Sequence, residues 1–308
     1  PPVPRLNIEP SLLLSAAAAA AGHQQYPPGT LYLVATPIGN LADISLRAIH
    51  VLALADTVAC EDTRVGGGLL GHLGLSKPLL ALHAHNEAAG AQMLLQRLAA
   101  GERVAFISDA GTPAVSDPGA RLVAAVAAAG HRVLPVPGAS SVLAALCVAG
   151  DVHGHGYSFA GFLPAKGQER RGALLALLAA PGTQVLFEAP HRIESLASAL
   201  AEAAPQRRLT LCRELTKQFE TVATMDAAAL PGWLHSDANR QRGEFVLVLH
   251  ALPAAVAAEA DTLSAAALHI LQVLQRELPL KQAVALATEL SGAPRNALYE
   301  RALAARNA

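Results

Sequence analysis

Residues 30–40 read TLYLVATPIGN, a short apolar run that ends at once in a turn made of Pro37, Ile38, Gly39 and Asn40. An apolar run of this length, closed by turn residues and followed by a helix-like segment, is the repeating unit of a mostly parallel sheet. The same order recurs downstream. TVAC at 57–60 leads into Glu61-Asp62-Thr63-Arg64, and RVAFIS at 103–108 leads into a long loop from Asp109 to Gly119. Helices are predicted between these runs, one opening at Asn86 and stopping at Gly101. Another is capped by Asp117, carries Pro118 in its first turn and closes at Gly130.

Further along, GDVHGHG at 150–156 interrupts the alternation and marks a hinge. A second α/β unit follows, with strands YSFAG, QVLFE, LTLCRE, QFETVAT and EFVLVL; its late adjacent runs predict an antiparallel portion. An Ala/Pro-rich linker after Leu249 leads to apolar residues at helical spacing, and SGAP at 291–294 separates two short helices. The expected organisation is a disordered N-terminal extension over 1–28, an α/β domain over 29–150, a second over 151–250, and a helical hairpin over 261–308. A chain of 308 residues is long enough for two cores and such an appendage.

Composition excludes several classes. Hydrophobic residues make up 52% of the chain, but no 18-residue apolar run is free of charges or turn residues, so no membrane association is expected. LLLSAAAAAAG at 12–22 has the apolar character of a leader segment, yet only Arg5 precedes it and Glu9 intervenes. A net charge of −1 rules out a globally basic surface, so nucleic acid would have to be met by local patches. With 4% aromatic residues, extended base-stacking platforms are not expected. Cys60, Cys147 and Cys212 lack paired spacing and read as reduced, buried thiols of a cytoplasmic protein.

Ligands of open α/β sheets bind beyond the carboxyl ends of the strands, which directs attention to SDAGTPAVSDPG at 108–119. Gly111 allows close backbone approach, Thr112 offers a hydroxyl, and Asp109 stands just past the strand end. The plainer reading is a tight connection, and Asp117-Pro118-Gly119 fits a helix start. Gly66-Gly67-Gly68 lacks the Lys-Ser/Thr pair of a phosphate loop, and no GxGxxG joins a strand to a helix. His83, His85 and Glu87 alternate at a strand end, but without a distant third ligand they make a weak metal site, and none is expected. No G-x-S-x-G elbow is present.

VATPIGNLADISLRA, ACEDTR, ALHAHNE, ISDAGTPAVSDPG, VPGASSVLAAL, GFLPAKG, CRELTKQFET and GEFVLVL occur in the order seen in the ribosomal RNA small-subunit methyltransferase I family. The resemblance covers residues 29–249, and the tail from ELPLKQAVALATELSGAPRNALYERAL resembles that family's C-terminal segment. It implies a tetrapyrrole-methylase-like fold of two α/β domains with S-adenosylmethionine in the cleft between them. It also implies a homodimer and 2′-O-methylation of a cytidine in the decoding region of 16S rRNA in the small ribosomal subunit.

Carried over by similarity, cofactor contacts fall on Pro37, Ser108, Asp109, Thr112, Ser140, Ser141, Phe187 and Leu215. Taken singly, Ser140 and Ser141 read as helix caps and Phe187 and Leu215 as core. Ala189-Pro190-His191-Arg192 departs from the family pattern, where a Ser/Thr-bearing pair precedes His-Arg.

Methyl transfer to oxygen is an in-line displacement that needs positioning, and a ribose hydroxyl needs a base or polarising cation nearby. Candidates are Asp62 and Arg64, with Glu61, in EDTR, Glu87 with His85 in HAHNE, and Lys217 with Arg213 and Glu214 in CRELTK. RNA phosphates are expected to meet Lys166, Arg170 and Arg171 after FLP, and Arg213 and Arg242 with Arg240 nearby. Competing readings are a tetrapyrrole methyltransferase on the same fold and a regulator whose C-terminal hairpin reads DNA.

Overall fold

The computed structural model describes residues 8–82, 87–115, 119–253 and 265–304. It divides into two compact units, one of residues 1–150, 159–163 and 185–248, the other of residues 151–158, 164–184 and 249–308. The larger unit combines residues 1–150 with most of the second sheet, which the sequence assigns to a separate domain.

The first sheet holds β1 (Thr30–Val34), β2 (Thr57–Cys60), β3 (Leu79–Ala81), β4 (Val104–Ile107) and β5 (Arg132–Val136) in the order β3-β2-β4-β1-β5. The β1–β4, β1–β5, β2–β3 and β2–β4 pairs are all parallel. Side chains alternate between two buried faces. Tyr32, Val34, Val58, Cys60, Ala105 and Ile107 join one cluster with residues of α2 (Leu46–Leu54) and α3 (Thr63–His72). Leu31, Ala59, Val104 and Phe106 join the other with Leu94 and Leu98 of α4 (Glu87–Ala99) and Leu122 and Val126 of α5 (Ala120–Ala128). Burial on both faces is why these strands read as continuous apolar runs. Gly66 serves packing, not phosphate binding: a Cβ there would stand 2.9 Å from Cys60 Sγ.

The expected disordered extension is corrected in part, because Pro10–Ala21 forms α1. Alanine is the best helix former, and Ala17 and Ala21 are buried, with Ala17 in the same cluster as Ile49 and Leu52 of α2. Asp117 and Pro118 lie outside the described residues, and Gly119 occupies the position before α5.

After α6 (Ser141–Ala149), which ends on a left-handed Gly150, the second sheet holds β6 (Tyr157–Phe162), β7 (Thr183–Glu188), β8 (Arg208–Arg213), β9 (Thr221–Asp226) and β10 (Phe245–Leu249). Their order is β6-β7-β10-β8-β9, and β8 pairs antiparallel with β9, as expected. One face is covered by α6, whose Val142, Ala145 and Ala149 cluster with Val185, Cys212, Val246 and Val248. The remaining helices of this stretch are α7 (Gly167–Ala179), α8 (Ile193–Ala203) and α9 (Leu230–His235).

The tail contains three helices rather than a two-helix hairpin: α10 (Ala265–Glu277), α11 (Leu280–Ser291) and α12 (Arg295–Ala304). Left-handed Gly292 ends α11 within the SGAP turn, and Leu271, Val284, Ala287 and Leu298 form the segment's own core. Among the described residues, no helix is long and apolar enough to cross a membrane.

Candidate functional site

Strand order fixes where the site lies. From β1 the chain moves through α2 toward β2 over one face, and from β4 it moves through α5 toward β5 over the other. Neighbouring β1 and β4 therefore part at their carboxyl ends, the point where open α/β sheets receive ligands. There Thr36 and Gly111 form an isolated antiparallel bridge, with Thr36 N donating to Gly111 O at 2.9 Å and Gly111 N to Thr36 O at 3.1 Å.

Around this bridge the two loops are held by their own side chains. Ser108 Oγ donates to Gly111 O at 3.2 Å, and Thr112 Oγ1 donates to Ala139 O at 3.0 Å. Gly111 takes φ 82°, and a Cβ on it would meet Ile38 Cγ2 at 3.3 Å. Ser140 caps α6 by accepting from Leu143 N, as its cap reading expects, and Ser141 opens the helix. Ile38, next to Pro37, packs against the cluster that includes Leu215, and so does Phe187. Phe187 meets Phe159 and Phe162 edge-on at centroid distances of 4.9 and 5.5 Å.

The stretch from Glu214 to Lys217 completes the group. Glu214 and Thr216 take φ 53° and 67°, strained for side chains with a Cβ. Glu214 Oε1 accepts from Lys217 Nζ and Glu244 N, both at 2.9 Å; Lys217 Nζ also reaches Glu244 Oε2 at 3.0 Å. Thr216 N donates to Glu220 Oε2 at 2.5 Å. This turn abuts the PIGN turn, for a Cβ on Gly39 would lie 2.5 Å from Lys217 Cγ and 3.0 Å from Thr216 Oγ1. Thr216 Oγ1 is buried and has no hydrogen-bond partner among the described residues. For Lys217, burial pushes the amine down, but its two carboxylate partners outweigh this and hold it protonated.

All eight expected cofactor residues, Pro37, Ser108, Asp109, Thr112, Ser140, Ser141, Phe187 and Leu215, lie on these adjoining loops or in the cluster beside them. Asp109 is exposed and accepts from Asp62 N at 3.2 Å, which connects it to the EDTR loop. Asp62 caps α3 and grips Arg64, with Arg64 Nη2 to Oδ2 at 2.6 Å. The side-chain hydrogen bond from Arg64, with one from its backbone N–H, holds the Asp62 carboxyl down at about 2. Such a carboxylate is a poor base at neutral pH. His83, His85 and the side chain of Glu87 lie outside the described residues. Among the described residues, no group of three or more His, Cys, Asp or Glu could hold a metal ion.

Arg213 is corrected as a phosphate contact. It is buried, and its guanidinium donates to Arg242 O at 2.6 Å and Phe219 O at 3.1 Å, tying down the loops that flank the turn. Arg240 lies over Trp233 at 4.4 Å and donates to Trp233 O. Lys166 and Arg171 are exposed at the start of α7, with Arg170 half-buried between them, and Arg242 is exposed before β10. Sequence reasoning missed Thr216 and Glu244. The left-handed turn that gives them meaning is imposed by tertiary contacts that no local pattern records.

Residues 30–231 match the profile of the Tetrapyrrole (Corrin/Porphyrin) Methylases, and residues 261–306 match the RsmI C-terminal HTH domain. The chain is 48% identical over 276 residues to the ribosomal RNA small subunit methyltransferase I of Pseudomonas aeruginosa, covering 89% of this chain and 97% of that one. The chain belongs to the ribosomal RNA small subunit methyltransferase I family, within the tetrapyrrole methylases. Solved structures of the wider tetrapyrrole methylase fold agree on architecture. Cobalt precorrin-4 methyltransferase matches with TM-score 0.55 at 18% identity, over 73% of this chain and 98% of that one. Uroporphyrin-III C-methyltransferase from Thermus thermophilus, complexed with S-adenosylhomocysteine, matches with TM-score 0.50 at 19% identity, over 71% and 96%. The methylase match takes in the loops after β1 and β4, and the match to the RsmI C-terminal HTH domain falls on the three-helix tail.

Proposed function

We propose that this protein transfers a methyl group from S-adenosylmethionine to the 2′-hydroxyl of a cytidine in the decoding region of 16S rRNA. The observation that carries the reading is the joint match of body and tail. A methylase body alone would suit a tetrapyrrole acceptor equally well, whereas the C-terminal segment at 261–306 accompanies the ribosomal RNA enzymes. Relatives such as the Pseudomonas aeruginosa protein bear that name.

The residues at the strand ends fit the cofactor. Gly39 and Gly111 let the PIGN turn and the loop after β4 pack closely on their neighbours, and the Thr216 hydroxyl is buried without a partner among the described residues. In this reading Pro37, Ser108, Asp109, Thr112, Ser140, Ser141, Phe187 and Leu215 surround the cofactor. S-adenosylmethionine supplies an electrophilic methyl on a sulfonium.

The protein's own contribution is alignment and charge. Lys217, held protonated, and the Asp62–Arg64 pair act as fixed charges beside the acceptor rather than as proton acceptors. Lys166, Arg170, Arg171 and Arg242 meet RNA phosphates, while Arg213 fixes the site loops. The reading includes a cytoplasmic homodimer, supported by the exposed apolar side chains Leu143 and Val148 on α6, which a second copy would cover.

Labelled S-adenosylmethionine tests the acceptor. The methyl label is expected in the RNA of small ribosomal subunits that lack the modification. Label entering a porphyrinoid while sparing RNA would transfer the protein to the tetrapyrrole enzymes.

A further inference from the structure

The buried hydroxyl of Thr216 stands out within the site. Its oxygen has no hydrogen-bond partner among the described residues, and leaving a buried polar group unpaired is costly. The residue itself is an unfavourable choice for its backbone. At φ 67° a β-branched side chain is strained, and Gly or Asn would be the expected occupant.

Neighbouring contacts nonetheless hold the turn in place. Glu214 N donates to Glu244 O at 3.0 Å, Glu244 N returns a bond to the Glu214 carboxylate, and Glu220 accepts from Thr216 N. An orphaned hydroxyl, on a strained residue, in a turn fixed from several sides, is the pattern of a group poised for a ligand.

The surroundings of the hydroxyl narrow the ligand. It lies at the PIGN turn, 3.0 Å from where a Gly39 Cβ would be, and Gly39 carries none. Leu215 beside it belongs to an apolar cluster against which Ile38 and Phe187 pack. The charged neighbour, Lys217, is already committed to Glu214 and Glu244. Apolar walls with one unpaired hydroxyl suit a flat heteroaromatic base with a polar edge better than they suit a zwitterionic amino acid.

We propose that Thr216 Oγ1 hydrogen-bonds the nucleoside half of the bound cofactor. This rests on the cofactor reading above, and the hydroxyl then finds in the complex the partner it lacks without ligand.

The test is calorimetric titration of the full chain with S-adenosylhomocysteine and with 5′-methylthioadenosine, which keeps the nucleoside but lacks the amino acid. Thermal melts of the ligand-free proteins accompany it. Thr216→Val keeps the shape and the β-branch while removing the hydroxyl. It is expected to weaken both ligands by the same factor, about tenfold. Thr216→Ser should bind nearly as the parent does. Ligand-free Thr216→Val should melt at or above the parent temperature, because the unpaired hydroxyl is gone.

Unchanged affinity in Thr216→Val would overturn the proposal, and so would a lowered melting temperature, which would reveal an internal partner. Loss confined to S-adenosylhomocysteine would also overturn it, by placing the contact on the amino-acid half. If the parent protein bound neither ligand, the cofactor reading itself would fall, an outcome distinct from all of these.

Discussion

Lys217 Nζ sits 2.9 Å from Glu214 Oε1, and this pair closes a turn in which Glu214 takes φ 53°. Burial pushes the Glu214 carboxyl up, but the hydrogen bonds from Lys217 and from Glu244 N outweigh it and the net shift is downward. Its stabilisation is therefore present above the ordinary carboxylate value and lost as pH falls through the depressed one. Lys217 is shifted upward overall, so its share is present below the ordinary amine value and lost as pH rises through the elevated one. Lys217→Met should cost about 1 kcal/mol, with the melting-temperature gap from the parent widest between about pH 5 and pH 10. Melts across that range check it; a gap independent of pH would show that packing, not charge, is lost.

Arg213 anchors two loops through backbone carbonyls while itself buried. Arg213→Met should lower stability by about 3 kcal/mol, since it leaves those carbonyls without their charged donor. Arg213→Lys should recover little, because one ammonium cannot reproduce two divergent bonds. Denaturant unfolding measures the loss. A fully stable Arg213→Met with weakened RNA binding would restore the phosphate role to this residue.

The N-terminal helix is part of the core. Ala17 is fully buried against α2, whereas Leu12 is 64% exposed. Ala17→Asp should destabilise by about 2–3 kcal/mol, and Leu12→Asp should change stability by less than about 0.5 kcal/mol. Equal melts for the two variants would mean that α1 does not dock.

Thiol chemistry separates the three cysteines. Burial, aided by the charges of Asp109, Asp62 and Glu61, pushes Cys60 up to about 11. Burial pushes Cys212 up to about 12, while Cys147 is exposed on α6, contrary to its expected burial. At pH 8 a thiol reagent should leave Cys60 and Cys212 unmodified in the native protein and modify all three cysteines after unfolding. Mass spectrometry of the labelled peptides reads this directly; rapid native labelling of Cys60 would contradict the packing of β2 against α3.

Strands buried on both faces could be read directly from sequence: β1, β2 and β4 are short apolar runs closed by turn residues, and Gly111 announced a close backbone approach. The fifth strand, RVLPV, hid behind Pro135. It lies at the sheet edge, where a missing N–H is tolerated. The alanine-rich α1 looked unstructured because alanine carries no strong amphipathic pattern, although its helix propensity is high. The expected cofactor residues came from an ordered set of motifs. Each alone reads as a cap or a core position, and several, including Ser140, do serve in that way. The turn at 214–217 stayed hidden because its shape depends on Glu244 and Glu220, residues its own segment cannot reveal to a local reading.

The chemical position of the transferred methyl separates ribose methylation from base methylation. Small ribosomal subunits lacking the modification would be incubated with the protein and methyl-labelled S-adenosylmethionine, and the RNA hydrolysed in alkali. A 2′-O-methyl group blocks cleavage at its own nucleotide, so the label is predicted in an alkali-resistant dinucleotide that yields 2′-O-methylcytidine on enzymatic digestion. Label recovered in single nucleotides bearing a methylated base would contradict ribose methylation.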